Sequence, residues 1–421
     1  MKRRLTAMLP ALVLALTLCA CGGSAQEGGR VSVTVLNSKM EIQDQMQAIA
    51  EAYSATHDAD VYVIYSSDSV SAHLATRYAS DEPYTLSMVD GKDVYALARE
   101  HAMDLSGEEW VSHTSQAIAI DGKVYGFPLC VEGRGIIYNA DAIERITGAP
   151  FDPDTVRTTE DFQALIDRLI AGGMETPTGV MKEDWSLGAH YMAEIYEQQA
   201  DPEAFLAGLQ DGTVNLAEDP KFNTLMDTFD ILRDNSYTRD AALSADRELT
   251  EQKLAKGEIA FLYGGSWDWA VLNQFSPTDK LGMMPLPNDS GDGSNELLVG
   301  GGSKYFILDA SKQTSRAQAQ AAKDFLCWMV EDPQGQDALV NQCGLFAPFD
   351  TITLPLNDPL SESVKERYEA GKLIGNYNFL PDDHYPLVGA AFQRYLAGDL
   401  DRSAFAQAVQ DYWASARVVE H

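Results

Sequence analysis

Residues 261–272 read FLYGGSWDWAVL and set two of the chain's six tryptophans, Trp267 and Trp269, directly behind Gly264-Gly265-Ser266. A serine beside glycines invites a nucleophilic reading. A nucleophile elbow needs Gly-x-Ser-x-Gly, because the strained turn tolerates no side chain on either flank. Here the fifth position is Asp268, so the elbow fails. Asn288–Gly293 (NDSGDG) resembles the start of a calcium loop, but its closing position, where a bidentate glutamate belongs, is Val299. The histidines, at His57, His73, His101, His113, His190, His384 and His421, form no helical i, i+4 pair, and Cys-x-x-Cys is absent, so no zinc pattern exists. Gly300-Gly301-Gly302 has neither dinucleotide nor P-loop spacing. No cofactor is expected. Glycosidic chemistry needs two carboxylates astride one bond, and with 63 Asp plus Glu some pairs arise by chance.

Binding remains. Sugar rings have apolar faces and polar edges; aromatic side chains stack on the faces, and carboxylates, amides and cations bond the hydroxyls. Trp185, Tyr263, Trp267, Tyr305, Tyr377 and Phe379 all fall at apparent element ends. Each is as readily core as contact, except Trp267, whose preceding glycines bring backbone close to something.

The elements that must position these residues alternate. RVSVTVL (30–36) is a strand, followed by a helix from Glu41 to Thr56 and a strand at 59–65. A helix at Ser71–Ala79 leads to a third strand, YTLSMVD (84–90). Such alternation predicts a parallel α/β sheet, and ligands sit beyond the carboxyl ends of its strands. Those ends are Asn37–Lys39, Ser66–Asp68 (with Ser67 at the centre) and Asp90. AIAI and VYGFPL read as short strands around the Asp121-Gly122-Lys123 turn, GRGIIYN as a separate strand, and ADAIERITG as a short helix with a glycine stop. TTEDFQALIDRLIAGG has helical spacing with a weak cap, Thr159 being followed by Phe162. Helical segments continue near 186–199, 202–210 and 220–235; EIAFLYG and LLVGGGSKYFIL hold strands; 315–341 is a helix, a proline break and a second helix; and 386–417 is mostly helical.

At 421 residues and 45% hydrophobic, the chain suffices for two or three domain-sized units with sizeable cores. Its formal net charge of −32 repels nucleic acid and anionic headgroups, so neither is an expected partner. MKRRLTAMLPALVLALTLCACGG reads as a secretory leader: three basic residues, then an apolar run too short and proline-broken to span a bilayer. Its end, Leu18-Cys19-Ala20-Cys21-Gly22, resembles a bacterial lipobox, with Cys21 after the small Ala20 as the lipidated residue. Acyl chains there would anchor the protein to a membrane surface, with GGSAQEGG as a flexible tether. Cys130, Cys327 and Cys343 are too few for a disulfide framework, with free thiols expected and Cys327–Cys343 the one conceivable pair.

Four segments, in this order, resemble the extracellular solute-binding proteins of ABC transporters, in the sugar-binding family that includes maltose-binding protein. They are DGKVYGFPLCVEGRGIIYNADAIERITG (121–148), KGEIAFLYGGSWDWAV, LLVGGGSKYFIL and AAKDFLCWMVEDPQGQ. The resemblance covers most of the chain beyond the leader. It implies an α/β fold of two lobes, each a mostly parallel sheet flanked by helices, hinged around a ligand cleft where strands cross. The expected division is residues 1–20 as leader, 21–30 as lipidated cysteine and tether, 31–131 plus 288–342 as lobe 1, and 132–287 plus 343–421 as lobe 2.

Carried onto matching positions, the resemblance implies ligand contacts at Asn37, Lys39, Glu41, Asp90, Glu132, Arg134, Trp185, Trp267, Tyr377 and Phe379, to which Ser67, Tyr263 and Gly301 are added at element ends. Trp267 is the stacking residue, and Trp269 is assigned to packing. The chain departs from the family at Pro83-Tyr84 and at Met88-Val89-Asp90, which lacks an aromatic. The implied function is non-enzymatic capture of a carbohydrate, an oligosaccharide, by an extracytoplasmic, lipid-anchored and monomeric protein that delivers it to membrane permease subunits. Two other readings stay open: a surface-anchored carbohydrate-active enzyme using Asp90 or Glu132, and the same fold binding an oligopeptide, polyamine or organic phosphate.

Overall fold

The computed structural model describes residues 29–66, 69–244 and 246–419. The leader, Cys21 and Ser67 lie outside the described residues. Ten strands form one continuous sheet: β1 Val31–Asn37, β2 Ala59–Tyr65, β3 Leu86–Asp90, β4 Ile118–Ile120, β5 Lys123–Asn139, β6 Thr178–Gly179, β7 Phe261–Gly265, β8 Leu281–Met284, β9 Leu298–Leu308 and β10 Leu373–Ile374. The spatial order is β2-β1-β3-β9-β5-β7-β6, with β4, β8 and β10 paired off this path. The outer pairs β1–β2, β1–β3 and β6–β7 are parallel, as the strand–helix alternation predicts; the long β5 and β9 run antiparallel to each other through the centre.

Strand parity divides the apolar residues into four cores. Around β1–β3, Val33, Val35, Leu86, Met88, Phe306 and Leu308 face one way, while Leu36, Val89, Tyr305 and Ile307 face the other. Around β7–β8, Phe261, Tyr263 and Met284 face a third core, and Leu262, Leu281 and Met283 a fourth. Strand β5 passes from the first pair of cores to the second: Phe127 and Leu129 pack in one, Ile136 and Ile137 in the others. β9 does the same, with Leu298 at one end and Phe306 at the other. The molecule therefore has two lobes, each a sheet covered on both faces, joined through two crossing strands.

The expected break between VYGFPL and GRGIIYN does not occur: β5 is one strand of 17 residues. Its middle stays extended because β9 pairs with it across the junction, Glu132 opposite Gly301 and Gly133 opposite Gly300. A Cβ on Gly300 would stand 2.7 Å from the Glu132 carbonyl oxygen, so only glycine lets the crossing backbones approach. At Gly302 the place of a Cβ is taken by the Tyr305 hydroxyl, whereas Gly301, beside Asn376, has room for one.

The helix expected with a weak cap is well capped one residue earlier. Thr158 is the N-cap of Thr159–Ala171, and Asp161 completes the reciprocal capping box. The segment expected as a regular helix from 186 opens instead with a wide π-helical turn, Trp185–Tyr191, before the helix Met192–Glu197. Cys130, Cys327 and Cys343 are free thiols, so the Cys327–Cys343 pair does not form. No helix among the described residues is long and apolar enough to cross a membrane.

Candidate functional site

A cleft of about 450 Å³ opens where β5 crosses between the lobes, lined from both sides. Its floor is Glu132, Gly133 and Arg134. Lys39, Glu41, Asp90 and Lys304 form one wall, and Trp185, His190, Arg247 and Trp267 the other. Asn376, Tyr377 and Asn378 cross over the end.

The floor and first wall are a lattice of paired charges. Lys39 Nζ donates to Glu132 at 2.7 Å and to Glu41 at 2.8 Å. Burial pulls the Lys39 pKa down, but Glu132 and Glu41 outweigh it and hold it above its ordinary value. Glu132 also accepts from Ser303 Oγ. Asp90 stands opposite Lys304 in the β3–β9 register and is bonded by its ammonium. Burial pushes the Asp90 carboxyl up, yet Lys304, Lys92 and Lys39 outweigh that and hold it below the usual carboxylate range. Arg134 bonds Glu197 and donates to Asn376 Oδ1 at 3.1 Å, and Glu197 accepts the Tyr377 N–H at 2.8 Å.

The second wall is aromatic. The Trp185 and His190 ring centroids are 5.4 Å apart, and His190 and Trp267 4.6 Å, so the three rings make one surface. The Arg247 guanidinium lies 5.4 Å from the Trp185 ring centroid. Burial, and then the charges of Arg134, Arg247 and Lys304, push the His190 pKa well down, so its ring presents a neutral face. The two glycines of FLYGGSWDWAVL serve this wall directly. The Trp267 indole folds back over Gly265 where a Cβ would sit, and the Asp268 carboxylate takes the same place at Gly264 while accepting the Gly265 N–H at 3.0 Å.

The chain's sequence from 24 to 366 matches the family model for bacterial extracellular solute-binding proteins. The chain belongs to that family. Among curated relatives of this solute-binding protein, the melibiose/raffinose/stachyose-binding protein MelE of Bacillus subtilis is 22% identical over 78% of this chain and 77% of its own length. The lactose-binding protein of Rhizobium radiobacter is 24% identical over 77% and 75%. Solved structures share the fold: RafE in complex with raffinose has a TM-score of 0.75 at 18% identity, covering 91% of this chain and 99% of its own. A Bacillus licheniformis sugar transporter in complex with stachyose has a TM-score of 0.71 at 17% identity, covering 91% and 99%.

Of the residues singled out from the sequence, Lys39, Glu41, Asp90, Glu132, Arg134, Trp185, Trp267 and Tyr377 line this solute-binding protein's cleft together. Asn37, Tyr263, Gly301 and Phe379 do not. Asn37 is fully buried; its amide accepts the Lys39 N–H at 2.9 Å and donates to the Lys39 carbonyl at 2.8 Å, so it shapes the turn that carries Lys39. Tyr263 has core parity, and its hydroxyl donates to Glu194 at 2.9 Å behind the wall; Tyr305 likewise lies in a core. Gly301 sits beside Asn376 rather than on the cleft surface. Phe379 packs edge-on against Tyr95, at 4.9 Å, and fastens the crossing segment to lobe 1. Trp269 packs at the edge of the Leu262 core.

Sequence reasoning missed Ser303, Lys304, His190, Glu197, Arg247 and Asn376. Lys304 stood in a strand already recognised, but only the β3–β9 register sets it opposite Asp90. Glu194 and Glu197, three apart in a helix, were the one local signal of an inward-facing acidic pair.

Below Trp267, Arg247 bridges two fully buried carboxylates, Asp268 at 2.6 Å and Glu251 at 2.9 Å. Burial, and then the Asp268 charge, push the Glu251 carboxyl up to about 9. The folded protein therefore holds a proton that the unfolded chain releases from about pH 4.3 upward. Stability from this site is present in mild acid and is lost as pH rises toward 9. Glu194, pushed up to about 7 by burial, acts in the same direction. Glu251→Gln should flatten, without abolishing, the fall in Tm between about pH 6 and pH 9. An unchanged Tm–pH profile in that variant would show that Glu251 carries no such proton.

Proposed function

We propose that this solute-binding protein captures an oligosaccharide between its lobes and delivers it to the permease of an ABC importer, without performing chemistry. The observation that carries this reading is the pairing of the Trp185–His190–Trp267 surface with a facing lattice of charged groups at Lys39, Glu132, Asp90 and Lys304. An aromatic wall suits the apolar face of a sugar ring, and paired charges suit its hydroxyls. Ser38 Oγ and Tyr377 Oη are enclosed with no hydrogen-bond partner among the described residues, and sugar hydroxyls would complete them. The named sugar ligands of the curated relatives support the same class. All thirteen sequence-derived contacts enter this proposal, with Asn37, Tyr263, Gly301 and Phe379 acting from behind the cleft surface. Lipidation of Cys21 after leader removal, attachment to the outer face of the cell membrane, and a monomeric state belong to it as well.

The test is a thermal-shift panel of mono- and oligosaccharides, with chromatography of the same samples. Stabilisation by at least one oligosaccharide without products is expected. Product formation would instead favour a carbohydrate-active enzyme. That reading is weaker, because Asp90 is held ionised by Lys304 and so is no proton donor, and Glu132 is already engaged by Lys39 and Ser303. Stabilisation by a peptide, polyamine or organic phosphate alone would replace the sugar.

A further inference from the structure

The cleft does not end at its floor. A second chamber of about 590 Å³ lies beyond the Lys39–Glu132 bridge and shares Lys39, Glu41, Glu132 and Trp267 with the first. Each chamber alone falls in the size range of a small-molecule site, roughly 300–1,000 Å³. Their linings differ. The first is built mainly from ion pairs, with Asn376 and Asn378 at its end, whereas the second, beyond the shared charges and the buried Asp358, is edged by neutral carboxamides: Gln45, Asn341 and Gln342 from the first lobe, Asn273 and Gln274 from the second, and Asn357 beside them. Gln274 donates to the Ala270 carbonyl, Asn341 and Gln342 to Asp337, and Asn357 to Asn341; a carboxamide has two donor hydrogens and two acceptor lone pairs, so each keeps capacity for a hydroxyl without selecting a charge. The Trp269 ring also borders this chamber, so Trp185, Trp267 and Trp269 follow one another along the combined cleft.

We propose that the second chamber binds the far end of an oligosaccharide too long for the first, and so sets the chain length this protein prefers. The inference rests on the carbohydrate reading above. Trp267 stands between the chambers and contacts units on either side. Because both lobes supply carboxamides, a unit held there adds to the difference in affinity between closed and open forms. A short sugar fills the ion-paired chamber and leaves the carboxamides to water.

Calorimetric titration of wild type, Asn273→Trp and Gln342→Trp with two series tests this: melibiose, raffinose and stachyose, and maltose through maltotetraose. Asn273 and Gln342 are exposed and on opposite lobes, so both variants should fold. In the series that binds, wild-type affinity should rise with chain length. Each variant should lose about tenfold or more for the longest member while staying within about twofold for the disaccharide. Equal losses at all lengths, no loss at any length, or wild-type affinity that does not rise with length would overturn the second chamber and leave the carbohydrate reading intact. If neither series binds wild type while another class of solute does, both readings fall together.

Discussion

Trp267→Ala is expected to weaken oligosaccharide binding by about 2 kcal/mol or more, roughly 30-fold, while leaving the unliganded protein folded and nearly as stable. The indole belongs to none of the four cores; it is half-buried and lies against Gly265 and His190. Its removal deletes the stacking face between the two chambers without opening a core cavity. Trp269→Ala should instead lower the stability of the unliganded protein, because that ring packs at the edge of the Leu262 core, and its loss of binding should be confined to oligosaccharides that reach the second chamber. Titration calorimetry and urea unfolding of both variants separate the roles. Wild-type affinity in Trp267→Ala would remove Trp267 from the site.

The largest effect on stability is expected from Arg134→Met. Arg134 and Glu197 form an ion pair with side chains 9% and 2% exposed, at the point where β5 enters the second lobe. Removing one partner strands a buried carboxylate, at a cost of about 3–5 kcal/mol. Glu197 would keep only the Tyr377 N–H among these partners, and Asn376 would lose its guanidinium donor. The crossing segment 376–378 should therefore loosen, read as faster amide exchange at Tyr377. Arg134→Met combined with Glu197→Leu should recover most of the loss, because the cost lies in the unpaired charge rather than in absence of the pair. If Arg134→Met unfolds at the wild-type urea midpoint, the pair does not hold the segment.

These two residues also mark how far the sequence could be read. Periodicity placed β2 at 59–65 and the helix stop at Gly148, whose left-handed φ of 70° needs a residue without a Cβ penalty. Four ordered blocks indicated the family, and eight of the named residues line the cleft. At the cleft, where pattern failed, the deciding contact was distant in sequence; the one missed cap was local. The cap at Thr158 was missed by one residue, which moved the expected partner from Asp161 to Phe162.

Sequence by itself determined the repertoire: which segments form strands and helices, and that Trp267 follows two glycines against which something packs closely. Local propensity and residue volume suffice for that. Only the tertiary structure decided which charges meet. Lys304 faces Asp90 because β9 returns antiparallel to β3, and Arg134 meets Glu197 because a helix of the second lobe packs beside the crossing strand. It also turned Tyr263 into the core and Asn37 into a support for Lys39. A side chain's role at a cleft depends on strand register and on which lobe lies opposite, and neither is encoded within the few residues around it.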